Sequence, residues 1–246
     1  MIGRSGAKVE VLETVVYKFG GKNPKEQGRY CEILQPPAAP QILKIYDNGY
    51  YMERLIDIHD RSPKELVGAI LKLLATYVWP RPSVVSAEEM RDWRKSVETF
   101  SDQAVPGLNG SLVYDLYEED CFRLTHGDPT FANLMQRKDG NYALIDPVPP
   151  RPTAPPVIEM DIARLVQSLY GWEHALESSA WPDVKDGPDL AQQMIDFFPG
   201  KSTPRIWFWS AYNCGRIIYN NADAASVLWA QEALPKFLEK LDEVCL

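Results

Sequence analysis

Histidine is scarce in this chain, and the few present do not cluster. There are 3 in 246 residues: His59, His126 and His174. His59-Asp60 invites a metal-phosphohydrolase reading, but that chemistry needs several converging imidazole and carboxylate ligands, and the ligand count fails. The 4 cysteines, Cys31, Cys121, Cys214 and Cys245, are widely scattered with no Cys-x-x-Cys spacing. Neither a zinc site nor a disulfide scaffold is indicated. No basic block stands out against a net charge of −8, so no extended nucleic-acid surface is expected. No apolar run is long enough to span a bilayer, and Met1-Ile2-Gly3-Arg4-Ser5-Gly6 lacks the apolar stretch of a signal peptide. No membrane partner is expected, and a reducing cytoplasmic setting is the simplest compartment. Internal repeats and coiled-coil heptads are missing as well, so the sequence leaves the oligomeric state open.

What is present is core-forming material. The chain is 45% hydrophobic and 11% aromatic, enough for one large or two modest domains. Its 20 prolines gather at 36–40, 80–82, 147–156 and 182–204, which marks loops. Residues 8–19 are rich in β-branched and aromatic types and read as one strand or two. Asn23-Pro24-Lys25-Glu26 reads as a helix start, with Asn as N-cap, Pro at the first position and Glu at the third. That helix is expected to reach about Gln35, before Pro36-Pro37. Ile42 to Tyr46 and Tyr50 to Glu53 flank Asp47-Asn48-Gly49 as strand, turn, strand. Helical periodicity follows over 63–78, 87–100, 159–172, 189–198, 205–220 and 223–243. The β-rich part comes first and the α-rich part second, with a boundary near residues 54–62.

The densest chemistry lies in Leu124-Thr125-His126-Gly127-Asp128-Pro129-Thr130-Phe131-Ala132-Asn133, followed by Leu144-Ile145-Asp146. The bland account is a β-hairpin with His126 packed inside, a turn opening at Asp128-Pro129 and another closing at Asp139-Gly140. A hairpin alone leaves the flanking Asn133 and Asp146 without a reason. Asn and Asp oxygens are hard ligands suited to Mg²⁺ that carries phosphate. A further Asp beside them can accept a hydroxyl proton. These are the parts of phosphoryl transfer.

His126-Gly127-Asp128-x-x-x-x-Asn133 followed by Ile145-Asp146 resembles the catalytic core of the aminoglycoside phosphotransferase and choline kinase family, the small-molecule branch of the protein-kinase-like fold. The resemblance implies an α+β, two-lobe protein-kinase-like fold, with a small β-rich nucleotide-binding lobe over residues 1–55 and a larger helical lobe over 56–246. It implies that Asp128 is the catalytic base, that Asn133 and Asp146 hold Mg²⁺, and that His126 braces the loop. Lys18, in an apolar β run ahead of a capped helix, becomes the strand lysine that meets ATP phosphates. Its helix partner is expected to be Glu26, which shares a face with Tyr30, Ile33 and Leu34, rather than Glu32; Glu26 also fits a capping box with Asn23. Tyr51 to Leu55, including Glu53 and Leu55, occupies the hinge that contacts adenine. Gly3 to Gly6 stands where a phosphate-approaching loop would be. Asp161, early in the 159–172 helix, matches the Asp that bonds back to the catalytic loop.

The activity implied is ATP- and Mg²⁺-dependent phosphorylation of a small-molecule hydroxyl acceptor: a sugar, amino sugar, aminoglycoside, choline-like alcohol or nucleoside. An acidic chain is compatible with a cationic acceptor. The alternatives are a non-catalytic nucleotide-binding or interaction protein, and transfer of AMP on the same fold.

Overall fold

The computed structural model describes residues 7–21, 23–113, 122–177, 181, 184–198, 202–220 and 223–245. Its first part is a four-stranded antiparallel sheet. The strands are β1 (Ala7–Val11), β2 (Val15–Gly20), β3 (Ile42–Tyr46) and β4 (Gly49–Glu53), in the spatial order β1-β2-β4-β3. One helix, α1 (Pro24–Leu34), packs on the sheet. Strand alternation sorts the side chains of β2. Val16 and Lys18 are buried on the face shared with Tyr50 and Met52, while Tyr17 stacks on Phe19 and Tyr51 on the other face, at 4.9 and 4.4 Å between ring centroids. Lys18 lies opposite Tyr50 in the β2–β4 register. A lysine only 4% exposed needs a charge partner, and that need is met in the cleft described below.

The second part is helical. Two of its helices start with full capping boxes, Ser62 with Glu65 for α2 (Pro63–Leu73) and Ser86 with Glu89 for α3 (Ala87–Ala104). A short hairpin, β5 (Leu134–Gln136) and β6 (Tyr142–Leu144), precedes α4 (Ile158–Leu169), α5 (Trp172–Leu176), α6 (Gly187–Asp196), α7 (Ser202–Tyr219) and α8 (Ala224–Cys245). Helix α7 packs on both α4 and α8. The core there is Leu165, Leu169, Trp207, Phe208, Tyr212 and Phe237, all at 1% exposure or less. The architecture is therefore the expected α+β one, a sheet lobe and a helical lobe. Among the described residues no helix is long and apolar enough to cross a membrane.

Two helical segments depart from their periodicity. The 63–78 run is α-helical only to Leu73 and continues as a π turn over Leu74–Val78. The 159–172 run breaks at Gly171, whose φ of 85° is left-handed, into α4 and α5. The break turns Glu173 inward. This carboxylate is 2% exposed and accepts from Ser168 Oγ at 2.7 Å and Ala132 N at 3.4 Å, while its Oε2 finds no donor among the described residues. Burial pushes its pKa up to about 7, against the lowering effect of the Ser168 bond.

The lobes are joined through Arg137, which follows β5. Its guanidinium contacts Glu53 Oε1 at 3.0 Å and donates to the carbonyls of Pro37, Ala39 and Tyr142 at 2.7–3.0 Å. One cation thus ties the end of β4, the α1–β3 loop and the β5–β6 hairpin together. Arg137→Gln should cost about 2–4 kcal/mol in urea unfolding, because it orphans an ionised partner and several buried carbonyls; a loss below ~0.5 kcal/mol would show that the contacts are decorative. For Glu173 the sign follows from a folded pKa above the ordinary glutamate value of 4.5. Its contribution is full below the unfolded pKa and is lost as pH rises towards 7. Glu173→Gln should therefore gain stability relative to the parent as pH rises from 4.5 to 7, by up to roughly 1.4 kcal/mol for each pH unit crossed. Parallel stability–pH curves for the two proteins would refute the burial argument.

Candidate active site

The loop leading to Asp128 is held from beneath by Asp161 on α4. Asp161 is fully buried and accepts from the backbone N–H of His126 at 3.0 Å, from that of Gly127 at 2.7 Å and from Trp79 Nε1 at 3.0 Å. Burial still leaves its pKa raised to about 6. Gly127 has φ 80°, and a Cβ there would overlap the Val148 carbonyl oxygen. Only glycine fits that close approach, which the Val148 N to His126 O bond of 2.9 Å fixes. His126 is 1% exposed, and burial holds its pKa down to about 4, so the ring is neutral near pH 7. It sits inside the loop, as a bracing residue would. Tyr30 of α1 donates its hydroxyl to Thr125 O at 2.7 Å, fastening the small lobe to the same loop.

The motif residues converge. Asn133 Nδ2 donates to the Asp128 backbone O at 2.7 Å and to its Oδ2 at 3.0 Å. The Asn133 carbonyl accepts from Ile145 N at 2.8 Å, which brings Asp146 alongside. Asp146 is left-handed, φ 56°, a conformation Asp tolerates better than most residues. Its Oδ1 ion-pairs with Lys18 Nζ across the cleft. Asp128 Oδ1 faces the other way and lies 3.3 Å from Arg164 Nε, within ion-pair range but not aligned as a hydrogen bond.

Glu26 is not brought to Lys18. It is exposed, and its carboxylate accepts from Asn23 Nδ2 at 3.2 Å. Asn23 itself is left-handed and makes no side-chain cap, so the expected capping box is not formed. The reason is the helix face. The buried residues of α1 are Gly28, Tyr30, Cys31 and Leu34, while Ile33 is exposed, which turns position 27 towards the cleft. Gln27 donates to Pro147 O at 3.3 Å and accepts from Tyr50 Oη at 3.4 Å. Leu55 is buried, and the Glu53 carboxylate is engaged by Arg137 and by Gln41 N at 2.8 Å. Gly3 to Gly6 lies outside the described residues.

The donor set suits a hard cation. Both side-chain hydrogen bonds of Asn133 use its Nδ2, which leaves the amide oxygen for a ligand role, and Asp146 supplies a carboxylate beside it. Two site residues escaped the sequence reading. Gln27 lies one turn before Cys31 on the truly buried face. Arg164 stands three residues after Asp161, a spacing that puts both on one side of α4.

No family model matches the chain, and no curated protein matches it by sequence. Solved structures do match its fold. The choline kinase LicA from Streptococcus pneumoniae superposes with a TM-score of 0.54 at 15% identity, covering 97% of this chain and 92% of that one. A putative fructosamine-3-kinase from Thermobifida fusca gives 0.52 at 13% identity, covering 97% and 96%. A Plasmodium vivax ethanolamine kinase gives 0.52 at 12% identity, covering 95% and 83%. The chain therefore has the fold of the small-molecule kinases that its His126–Asn133 motif resembles.

Proposed function

We propose that this chain transfers the γ-phosphoryl group of ATP to a hydroxyl of a small molecule. The observation that carries the reading is the meeting of Asp128, Asn133, Asp146 and Lys18, drawn from both lobes, at one cleft. Asp128 acts as the base: its carboxylate takes the acceptor's hydroxyl proton while the hydroxyl oxygen bonds to the γ-phosphorus and ADP leaves. Asn133 and Asp146 would hold Mg²⁺, which when bound neutralises phosphate charge. Lys18 steadies the phosphates, and the hinge over Glu53–Leu55 meets adenine through its backbone. The small lobe covers residues 1–55. Gln27 takes the place intended for Glu26 as the α1 residue facing the cleft, linking it to β4 and to the segment after Asp146 through its two hydrogen bonds. The likeness of fold supports the reaction class and leaves the acceptor open.

Asp128→Asn should lower phosphorylation, or slow ATP hydrolysis to water where no acceptor is supplied, by ~10²–10⁴-fold. Its nucleotide affinity should hold. The amide would keep its oxygen towards Asn133 and lose the charge that faces Arg164, so a stability loss of about 1–2 kcal/mol is expected. Equal turnover in the two proteins would sink the assignment. Product mass separates the rival outcomes: a gain of phosphate, a gain of AMP, or binding with no product. Asp146→Asn has a two-sided expectation. Metal-free ATP should bind it more tightly than the parent, because Lys18 loses its counter-charge, while the gain in affinity on adding Mg²⁺ should shrink. Calorimetry with and without Mg²⁺ reads both, and identical Mg²⁺ effects in parent and variant would remove Asp146 from the metal site.

A further inference from the structure

The face of Asp128 turned away from Asn133 is not acidic. Arg164 of α4 lies 3.3 Å from Asp128 Oδ1. Arg216 of α7, 9% exposed, lies across the α4–α7 packing, near enough for Arg164, Arg151 and Asp128 all to act on its charge. Arg151 is exposed on the turn after Asp146, whose Thr153 carbonyl accepts from Tyr212 Oη of α7 at 3.2 Å. Arg164 therefore stands at the proposed base, Arg216 lies on the helix packed against α4, and Arg151 lies on the turn that Tyr212 of that same helix holds. Among the described residues, Asp128 is the carboxylate in ion-pair contact with them.

The neutral neighbours do not make up the shortfall. Arg164 donates to Gln167 Oε1 at 2.7 Å, and Arg216 donates to Asn213 Oδ1 at 3.4 Å. Each amide spends its oxygen on an arginine. The amide nitrogens of Gln167 and Asn213, in residues 2% and 1% exposed, find no acceptor among the described residues. Donors and positive charge are in surplus on this side of the site. Burial, then Arg164 and Arg151, holds the Arg216 pKa down to about 9, as expected where like charges meet without enough counter-charge. Guanidinium groups short of acceptors suit a carboxylate or phosphate, which they bind in bidentate fashion.

We propose that the acceptor hydroxyl belongs to a molecule that itself carries an oxyanion, a carboxylate or a phosphate, held by Arg151, Arg164 and Arg216 while its hydroxyl faces Asp128. The proposal rests on the phosphotransfer reading for the role of Asp128. Lys18, Asn133 and Asp146 mark the nucleotide side, and the arginines mark the other. A cationic alcohol would meet repulsion there.

The test is a binding measurement that needs no turnover, so its failure leaves the phosphotransfer reading standing. The full chain without nucleotide is titrated by calorimetry at constant ionic strength with inorganic phosphate, with glycerate and with choline. At least one anion should bind competitively with the other, or alone, and choline should not bind. Arg164→Gln should weaken the anion about tenfold, the scale of one lost charge-assisted hydrogen bond. Arg151→Gln should weaken it about threefold, and being exposed it tests the idea even where a buried variant fails to fold. Lys25→Gln, at the exposed Lys25–Asp47 pair of the small lobe, should leave this affinity unchanged, which separates the site from general attraction to surface charge. The two anions distinguish phosphate from carboxylate. Choline binding in preference to both anions, no anion binding, or anion binding indifferent to Arg151→Gln and Arg164→Gln would each overturn the proposal.

Discussion

The carboxylate of Asp161 has no solvent, yet three N–H donors point at it, two of them from consecutive backbone amides of the loop that carries Asp128. Hydrogen bonds to an ionised acceptor contribute about 1.5–3 kcal/mol each, which offsets much of the cost of burying the charge. The offset is incomplete, since the pKa remains above the ordinary aspartate value, at about 6. That residual cost fixes a direction. With His126 N and Gly127 N pulled towards α4, the loop must turn at Gly127, and the Asp128 side chain emerges on the cleft side between Asn133 and Arg164. The third donor, Trp79, follows the π turn over Leu74–Val78. The irregular end of α2 thus serves the same carboxylate, as π turns near functional sites often do.

The parts of this arrangement that were legible in the sequence are the local ones. Asp128, Asn133 and Asp146 lie close along the chain, and a hairpin with a fixed turn brings them together. Asp161 was legible through the resemblance, which puts an Asp early in this helix that bonds back to the catalytic loop; helix position alone would have made it a first-turn acid favouring the dipole. Helix and strand order was readable from periodicity. The face of α1 was not. Tyr30, Ile33 and Leu34 make a plausible stripe, but Gly28 and Cys31 are the buried positions that set its rotation against the sheet, and small residues weigh little in an apolar pattern. One position of rotation exchanges Glu26 for Gln27. The break at Gly171 was equally quiet, because a single glycine in an otherwise periodic run is tolerated as often as it terminates.

The arginine group shows why net charge says little about a pocket. The chain carries −8 overall, which on its own is compatible with a cationic acceptor. Yet Arg151 and Arg164 lie on a loop and on the helix that follows it, and Arg216 is brought towards them from much later in the chain by the packing of α7 on α4. Field at a site depends on the nearest few charges, since those beyond about 8–10 Å are largely screened at physiological salt. The fold neighbours named for choline and ethanolamine share the scaffold. A scaffold fixes where a base stands and leaves the groups around it free to change sign.

The Lys18–Asp146 pair couples the two halves of the proposed nucleotide site. In many two-lobe kinases a helix acid neutralises the strand lysine, so metal and lysine can be satisfied independently. Here α1 offers the amide of Gln27, and among the described residues the ion-pair partner of Lys18 is Asp146. Asp146 is also the carboxylate placed to meet a cation beside Asn133. A metal that draws on Asp146 weakens its hold on Lys18, and phosphate that draws on Lys18 leaves Asp146 short of a counter-charge. Each therefore favours the arrival of the other, and a metal–nucleotide complex satisfies both groups at once where either component alone satisfies one. Mg²⁺, which keeps waters and prefers carboxylate with phosphate to an all-protein cage, fits that linkage.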